Sequence, residues 1–174
     1  MKKSKTPKSK NYRGRTYKNG EIFYFLGKAY PLMIEPEGDS SPSLRLTKEY
    51  FQLTTNEPEE AFPLFLAWYT RETSVFLRGL LPNWARRLCV RPRSVRVRFA
   101  TSRWGSCGIR GDLSFNSRLG VLNPELIEYV VVHELCHLKQ MNHSAAFWGE
   151  VASALPQWPT LRRRLKEQTA LTEF

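Results

Sequence analysis

The three histidines of the chain, His133, His137 and His143, lie within eleven residues of one another. Residues four apart project from the same face of a helix, so His133 and His137 can bind one metal ion together. His143 would supply a third imidazole and leave the fourth position of a tetrahedral zinc ion open to water. Glu134, next to His133, is suited to accept a proton from that water. The spacing therefore predicts a hydrolytic zinc site with three histidine ligands and one catalytic glutamate.

The segment before the histidines is expected to form the helix that carries them. Asn123, Pro124 and Glu125 combine a preferred N-cap residue, a proline at the first helical position and an acid in the first turn. Apolar residues at helical spacing follow as far as Leu138. These features predict a buried helix that begins at Pro124.

The identity of the third ligand depends on where the chain turns after His137. A helix that continued straight on would direct His143 away from the metal, and Glu150 would then be the fallback ligand. Asn142 is the expected turning point, because asparagine tolerates the left-handed backbone conformation. We therefore favour His143 over Glu150.

The composition is that of one globular domain with a basic tail. The chain has 174 residues, of which 41% are hydrophobic, enough for a single core. Its formal net charge of +11 comes largely from residues 1–18, which hold eight Lys or Arg and no acid. We interpret residues 1–18 as a disordered tail able to make weak nucleic-acid contacts, and residues 19–174 as a single domain.

The sequence indicates a cytoplasmic protein without membrane association. No apolar run approaches the roughly 20 residues that a membrane span requires. The basic start is not followed by the apolar segment of a signal peptide. The three cysteines, Cys89, Cys107 and Cys136, are odd in number and form no C-x-x-C pair, which argues against a disulfide framework.

An arginine-rich segment precedes the histidines. From Arg78 to Arg118 the chain carries ten arginines, and Asp112 is the only acid between them. Arginine is suited to the recognition of phosphate and carboxylate groups. The alternative is a solvated face that keeps the protein soluble.

The elements around the histidines predict an α+β fold. Residues 21–35 have the pattern of a β-hairpin. A long helix is expected over residues 58–81 and should end at Pro82. Residues 94–100 alternate apolar side chains with arginine and predict a strand, with a second strand around residues 113–116. We expect a small antiparallel sheet packed with the histidine-bearing helix, which two more helices follow.

Two groups of residues match a known family. Residues 103–108, which read Arg-Trp-Gly-Ser-Cys-Gly, are followed by Asn116, and residues 142–148 continue the histidine segment as Asn-His-Ser-Ala-Ala-Phe-Trp. In this order the chain resembles the YgjP-like family of bacterial metal-dependent hydrolases, which is related to the SprT and WLM metallopeptidase-like domains. The resemblance extends over about residues 20–167.

The resemblance implies a zincin-like core with a small sheet, an active-site helix bearing His-Glu-x-x-His, and a third ligand downstream. The family's ligands correspond to His133, His137 and His143, and its catalytic acid corresponds to Glu134. It also implies one Zn²⁺ ion, which another divalent metal could replace.

Four residues outside the histidine segment are candidate substrate contacts. Arg103 could donate to a developing oxyanion. Trp104 and Ser106 belong to a glycine-flanked loop that would either line the cleft or form a tight turn with Trp104 in the core. Asn116 would either bind the substrate backbone or end the sheet. Cys107 is disfavoured as a fourth metal ligand or a nucleophile, because three histidines are already present.

Three functions remain open at this point. The preferred one is a peptidase, in which an extended peptide adds to an edge strand and Glu134 assists the attack of metal-bound water on the peptide bond. The second is a nucleoside triphosphate (UTP) pyrophosphatase, a label that the resembled family also carries and that the arginines favour. The third is a nucleic-acid-associated module with structural zinc. An open fourth coordination position and Glu134 count against this last function, since structural zinc sites are usually closed.

Overall fold

The computed structural model describes residues 15–38 and 41–168. Within these ranges the helices and strands follow in the order β1 (Ile22–Phe25), β2 (Lys28–Glu35), β3 (Ser43–Leu46), β4 (Phe51–Thr54), α1 (Ala61–Arg87), β5 (Ser94–Arg98), β6 (Gly105–Cys107), β7 (Asp112–Asn116), α2 (Pro124–Cys136), α3 (Ala145–Ala154) and α4 (Trp158–Gln168). Short 3-10 helices at Pro58–Glu60 and Ser117–Val121 precede α1 and α2. The predicted α+β class is confirmed.

Both sheets are mixed, which corrects the expectation of an antiparallel sheet. The first has the strand order β1-β2-β4-β3 with β2 parallel to β4, and the second has the order β5-β7-β6 with β5 parallel to β7. Alternating apolar and polar residues identify a strand but not its direction. β5 and β7 can run parallel because the connection between them, which contains β6, crosses back to the start of the sheet. As a result β6 lies at an edge.

The helix α1 continues through Pro82, where it was expected to end. Proline removes one backbone hydrogen bond, to the carbonyl of Arg78. Both Arg78 and Pro82 are exposed, so water can bind that carbonyl, while Leu81 and Trp84 remain buried and hold the helix against the core.

Of the described helices, none is long and apolar enough to cross a membrane.

The helix α2 runs through the larger of two hydrophobic cores. It begins at Pro124, as predicted, with Asn123 at the N-cap position. Its side chains pack against α1, α3, α4 and the second sheet, and those that are fully buried are Leu126, Ile127, Val131, Val132, Leu135 and Cys136. Close packing on all sides fixes the backbone that carries the histidines.

Residues 15–18, which were assigned to the tail, pack against the first hairpin. The Arg15 guanidinium lies 4.7 Å from the centroid of the Phe23 ring, and its Nη1 donates to Glu21 Oε1 at 3.3 Å. The ring of Tyr17 stacks on Phe23 with the centroids 5.8 Å apart. The rest of the predicted tail, residues 1–14, lies outside the described residues.

Candidate metal centre

The last turn of α2 places two histidines side by side. His133 lies within the helix, and His137 is its C-cap residue with φ −63° and ψ −20°. Their ring centroids are 4.9 Å apart, as expected for residues one helical turn apart. Leu135 and Cys136 between them are fully buried in the core. The burial of these two side chains fixes the face of the helix that the histidines occupy.

The chain turns back immediately after His137. The amides of Lys139 and Gln140 both donate to the carbonyl of Cys136 at 3.0 Å, so the helix tightens as it ends. Asn142 is not among the residues with positive φ, and the expectation of a left-handed turn there is wrong. Tightening of the helix end reverses the chain without a left-handed residue.

This turn brings His143 back to the helix. Its Nε2 atom lies 3.0 Å from Nε2 of His133, and one ligand nitrogen from each of the three histidines lies within 4.8 Å of the other two. Ser144 follows as the N-cap residue of α3, and its hydroxyl accepts a hydrogen bond from the amide of Phe147. The cap fixes the start of α3 directly after His143.

Glu150, the fallback ligand, lies outside this group of donors. Its carboxylate accepts a hydrogen bond from Lys139 Nζ at 2.8 Å. The pair connects the turn after α2 to α3. The structure thus brings His143, and not Glu150, to the other two histidines.

The three imidazoles fit a zinc ion. Zinc binds imidazole nitrogen at about 2.0–2.1 Å, so neighbouring donors of a tetrahedral site lie about 3.3 Å apart. The observed 3.0 Å between His133 and His143 is close to that spacing. Burial and the two neighbouring histidines lower the pKa of His133 to about 3, and burial lowers the pKa of His137. Both rings are therefore neutral at pH 7 and able to bind a cation.

Hydrogen bonding distinguishes the two ring nitrogens of His137, whereas one nitrogen of His133 has no hydrogen bond within the described part of the chain. His137 Nδ1 lies 3.0 Å from the carbonyl oxygen of Gln140, an arrangement that holds the proton on Nδ1 and leaves Nε2 for a metal. His133 Nδ1 is buried and has no hydrogen-bond partner among the described residues. A cation bound at Nε2 of His133 would use the lone pair there and so leave the proton on Nδ1.

Aromatic side chains of α3 hold the histidine rings in place. The ring of Phe147 stacks on His137 with the centroids 4.5 Å apart. The ring of Trp148 stacks on His143 with the centroids 5.5 Å apart and the planes at 26°. The orientation of these two rings is therefore set by packing as well as by the backbone.

Glu134 is buried beside the histidines, with 6% of its surface exposed. Desolvation raises the pKa of its carboxyl group to about 7, and the positive charge of Arg103 opposes that shift. A divalent cation at the histidines would oppose it further. A carboxyl group whose pKa lies near neutrality is suited to accept and release a proton at pH 7.

The edge strand β6 approaches Glu134 closely at Gly105. A Cβ atom at this position would lie 2.7 Å from both Cγ and Oε1 of Glu134, well inside van der Waals contact. Glycine allows the backbone to come this near to the carboxylate. The strand and the proposed proton acceptor are therefore in direct contact.

We expect Gly105→Ala to reduce hydrolytic turnover by about 100-fold, because a displacement of about 1 Å in a catalytic group can cost that much. The new methyl group would push aside the flexible Glu134 side chain and leave the histidines in place, so zinc content should not change. The matched control is Gly108→Ala, where the nearest atom to a new Cβ is the carbonyl oxygen of Asp112 at an ordinary 3.6 Å. Turnover and zinc stoichiometry of both variants would be measured together. Equal activities would show that Gly105 does not position the carboxylate.

The strand β6 also presents backbone groups to its open edge. Trp104 and Gly108 bond to β7, the first through its carbonyl oxygen at 2.8 Å and the second through its amide at 2.9 Å. Backbone groups alternate in direction along an antiparallel pair. Gly105 and Cys107 therefore direct their N–H and C=O groups away from β7, towards the free edge of the sheet.

Asn116 positions the loop before β6 and does not face the cleft. It is buried, and its Nδ2 donates to the carbonyl oxygens of Ala100 and Arg103 at 2.7 Å each. Its Oδ1 accepts from the amide of Arg118 at 3.1 Å. These bonds occupy the side-chain amide. The structure therefore fits the prediction that Asn116 ends the sheet, and not the prediction that it contacts the substrate.

Of the candidate contacts Arg103 and Trp104, Trp104 lines the cleft, whereas Arg103 is not among its lining residues. Arg103 is exposed, and its charge acts on Glu134. Trp104 lines the cleft with part of its ring and packs against the core with the rest. The guanidinium of Arg118 lies 5.4 Å from the centroid of the Trp104 ring. Trp104 therefore combines the two positions predicted for it, because it lines the cleft and also packs against the core.

Strand alternation separates Ser106 from the cleft. Gly105 and Cys107 lie on the face of β6 that packs against Glu134 and the core, so Ser106 points to the opposite face, where it pairs with Ser114. Ser106 is not among the residues that line the cleft. Burial raises the pKa of the Cys107 thiol. Cys107 is not part of the group of three histidines that could hold a metal ion.

A cleft of about 360 Å³ opens beside His133 and Glu134. Three of its polar lining residues were not expected from the sequence: Tyr129 of α2, and Arg162 and Lys166 of α4. Tyr129 precedes His133 by one helical turn, and that spacing could have identified it. Nothing in the sequence connects the residues of α4 with the histidines.

Part of the chain is similar to solved metallopeptidase structures. The metallopeptidase zymogen of Pyrococcus abyssi abylysin has 24% identity and a TM-score of 0.49, over 53% of this chain and 93% of that one. The metallopeptidase zymogen of Methanocaldococcus jannaschii jannalysin has 16% identity and a TM-score of 0.48, over 53% and 95%. No curated protein matches the chain. The family model described as YgjP-like, metallopeptidase domain, matches residues 1–168, and the chain therefore belongs to the YgjP-like metallopeptidase-domain family, as its motifs predict.

Proposed function

We propose that the protein is a zinc-dependent peptidase that hydrolyses an extended peptide bound along β6. The observation that carries this proposal is the grouping of three histidine nitrogens within 4.8 Å of one another, beside a buried glutamate and a free strand edge. Membership of a metallopeptidase-domain family supports hydrolysis of the peptidase type.

His133, His137 and His143 would hold the zinc ion, which when bound polarises the scissile carbonyl and makes water nucleophilic at neutral pH. Glu134 would accept a proton from the attacking water at a carboxylate oxygen and later donate it to the leaving amine. Gly105 keeps β6 in contact with that carboxylate. The peptide bond and the proton acceptor would therefore be held side by side, which lowers the entropic part of the barrier.

The substrate would bind by strand addition. The outward N–H and C=O groups of Gly105 and Cys107 would pair with the backbone of an extended peptide. Backbone pairing of this kind does not depend on the peptide sequence. Substrate specificity would therefore come from the side chains that line the cleft.

The two alternatives have weaker support. The cations that line the cleft, Arg162 and Lys166, would suit a nucleoside triphosphate such as UTP, as would Arg103, whose charge acts on Glu134. The matched family model, however, is a metallopeptidase domain. A structural zinc ion would need a fourth protein ligand to close the site, and the group of donors in the described residues holds only three histidines.

The test compares peptide and nucleotide hydrolysis by the same zinc-loaded preparation. Unfolded casein and UTP would be incubated in parallel, with and without the chelator 1,10-phenanthroline. We expect new peptide termini by mass spectrometry, their loss with the chelator, and their return when zinc is added back. Release of pyrophosphate from UTP without peptide cleavage would replace the proposal with a nucleotide hydrolase. If a demonstrably zinc-loaded protein formed neither product, the proposal that it is a hydrolase would be refuted.

A further inference from the structure

Two cations of α4 face the cleft next to Glu134. Arg162 and Lys166 are one helical turn apart and therefore share a face of α4, and both line the cleft. Leu161 and Leu165, also one turn apart, are buried and anchor the helix to the core. Arg162 and Lys166 therefore project into the cleft from a helix whose backbone is held in place by the core.

A stack of aromatic rings ties Arg162 to the metal site. Trp158 of α4 stacks on Trp148 of α3, with the ring centroids 4.3 Å apart and the planes at 19°. Trp148 in turn stacks on His143. The Arg162 guanidinium lies 5.0 Å from the centroid of Trp148, within range of a cation–π interaction. The position of Arg162 is therefore set relative to the third histidine.

Neither cation has a carboxylate within ion-pair distance in the described part of the chain. The neighbouring Arg164, by contrast, pairs with Glu125 at 2.7 Å. Among the described residues, Glu134 is the only acid that lines the cleft. Two cations without a carboxylate partner on the wall of a cleft create a positive potential that attracts anionic groups.

We propose that Arg162 and Lys166 form a subsite for an acidic side chain that flanks the scissile bond, so that the enzyme prefers Glu or Asp at that position. This inference rests on the proposed peptidase function. Side chains of a peptide paired with β6 alternate in direction, and one that projects towards α4 would meet the two cations. Arg162 would bind its carboxylate through paired N–H donors, and Lys166 would add a second charge. A basic side chain at the same position would be repelled.

The test is a cleavage profile on a defined peptide mixture. Zinc-loaded protein would digest synthetic peptides in which each position around a common central segment carries Glu, Gln or Lys, and mass spectrometry would identify the cleaved bonds. We expect Glu to be preferred over Gln by about tenfold at one flanking position, the effect of one charge-assisted hydrogen bond. Lys should be disfavoured there. The preference should weaken as ionic strength rises, because exposed charges are screened by salt.

Matched variants assign the preference to these residues. Arg162→Gln should remove most of the preference for Glu over Gln, whereas Arg163→Gln should retain it. Arg163 is the adjacent exposed residue of α4, carries the same charge and does not line the cleft. A second readout needs no turnover: in an inactive Glu134→Gln background, Arg162→Gln should weaken the binding of a fluorescent Glu peptide more than that of its Gln counterpart.

Two results would overturn the inference in different ways. Equal cleavage of Glu and Gln peptides, or a preference that survives in the Arg162→Gln/Lys166→Gln double variant, would remove the subsite and leave the peptidase proposal intact. Failure of the zinc-loaded wild-type protein to cleave any peptide in the mixture would overturn the peptidase proposal, and the subsite with it.

Discussion

Glu134→Gln is expected to reduce peptide hydrolysis by about 10²- to 10⁴-fold, the usual contribution of a positioned general acid–base group. The amide of glutamine has nearly the shape of the carboxylate but cannot accept a proton from water. Glu134 is almost fully buried and contacts the backbone at Gly105, so a side chain of the same size should occupy the same place. The measurement is kcat of the zinc-loaded variant on a peptide that the wild-type protein cleaves.

Zinc content and folding separate a catalytic loss from a structural one. We expect Glu134→Gln to bind zinc as the wild-type protein does, because the histidines are unchanged. The matched control is Glu125→Gln, which removes the same charge from an exposed position of α2 where the carboxylate pairs with Arg164. Its turnover should stay close to that of the wild-type protein. If Glu134→Gln kept more than about a tenth of wild-type turnover, the general base would have to be another group.

The helix that carries the site was predictable from local signals. A proline that follows an N-cap asparagine identifies the start of α2, and the spacing of His133 and His137 identifies one face of it. Because these signals depend only on neighbours along the chain, the helix and the grouping of the histidines follow from the sequence. The position of His143 was also expected, although the turn that delivers it differs from the one expected at Asn142.

The parts that sequence analysis missed depend on contacts between distant segments. The parallel pairing of β5 with β7 is set by the path of the connection, which an alternating pattern does not encode. Arg162 and Lys166 reach the cleft because Leu161 and Leu165 bury α4 against the core. The role of Asn116 could not be decided either, because its partners, the carbonyls of Ala100 and Arg103, lie on a loop without a recognisable pattern.

His143→Ala is expected to weaken zinc binding by more than about 100-fold. Changes to residues that only support a metal ligand commonly cost 10- to 100-fold in affinity, and loss of a ligand itself should exceed that range. His143 is the exposed member of the group and belongs to the turn between α2 and α3, so its removal should leave the core intact. The measurement is a zinc titration against a competing chelator, with the metal content of the gel-filtered protein as a check.

Glu150→Gln distinguishes His143 from the fallback ligand. Glu150 pairs with Lys139 across a partly exposed contact, and loss of such a pair costs about 0–1 kcal/mol of folding stability. We therefore expect Glu150→Gln to keep full zinc affinity, in contrast to His143→Ala. The opposite pattern, with zinc lost from Glu150→Gln and retained by His143→Ala, would mean that the ion draws the carboxylate away from Lys139. His143 lies in the turn after α2, and Glu150 lies in the middle of α3. This pair of variants therefore also tests whether the observed turn is the one present when zinc is bound.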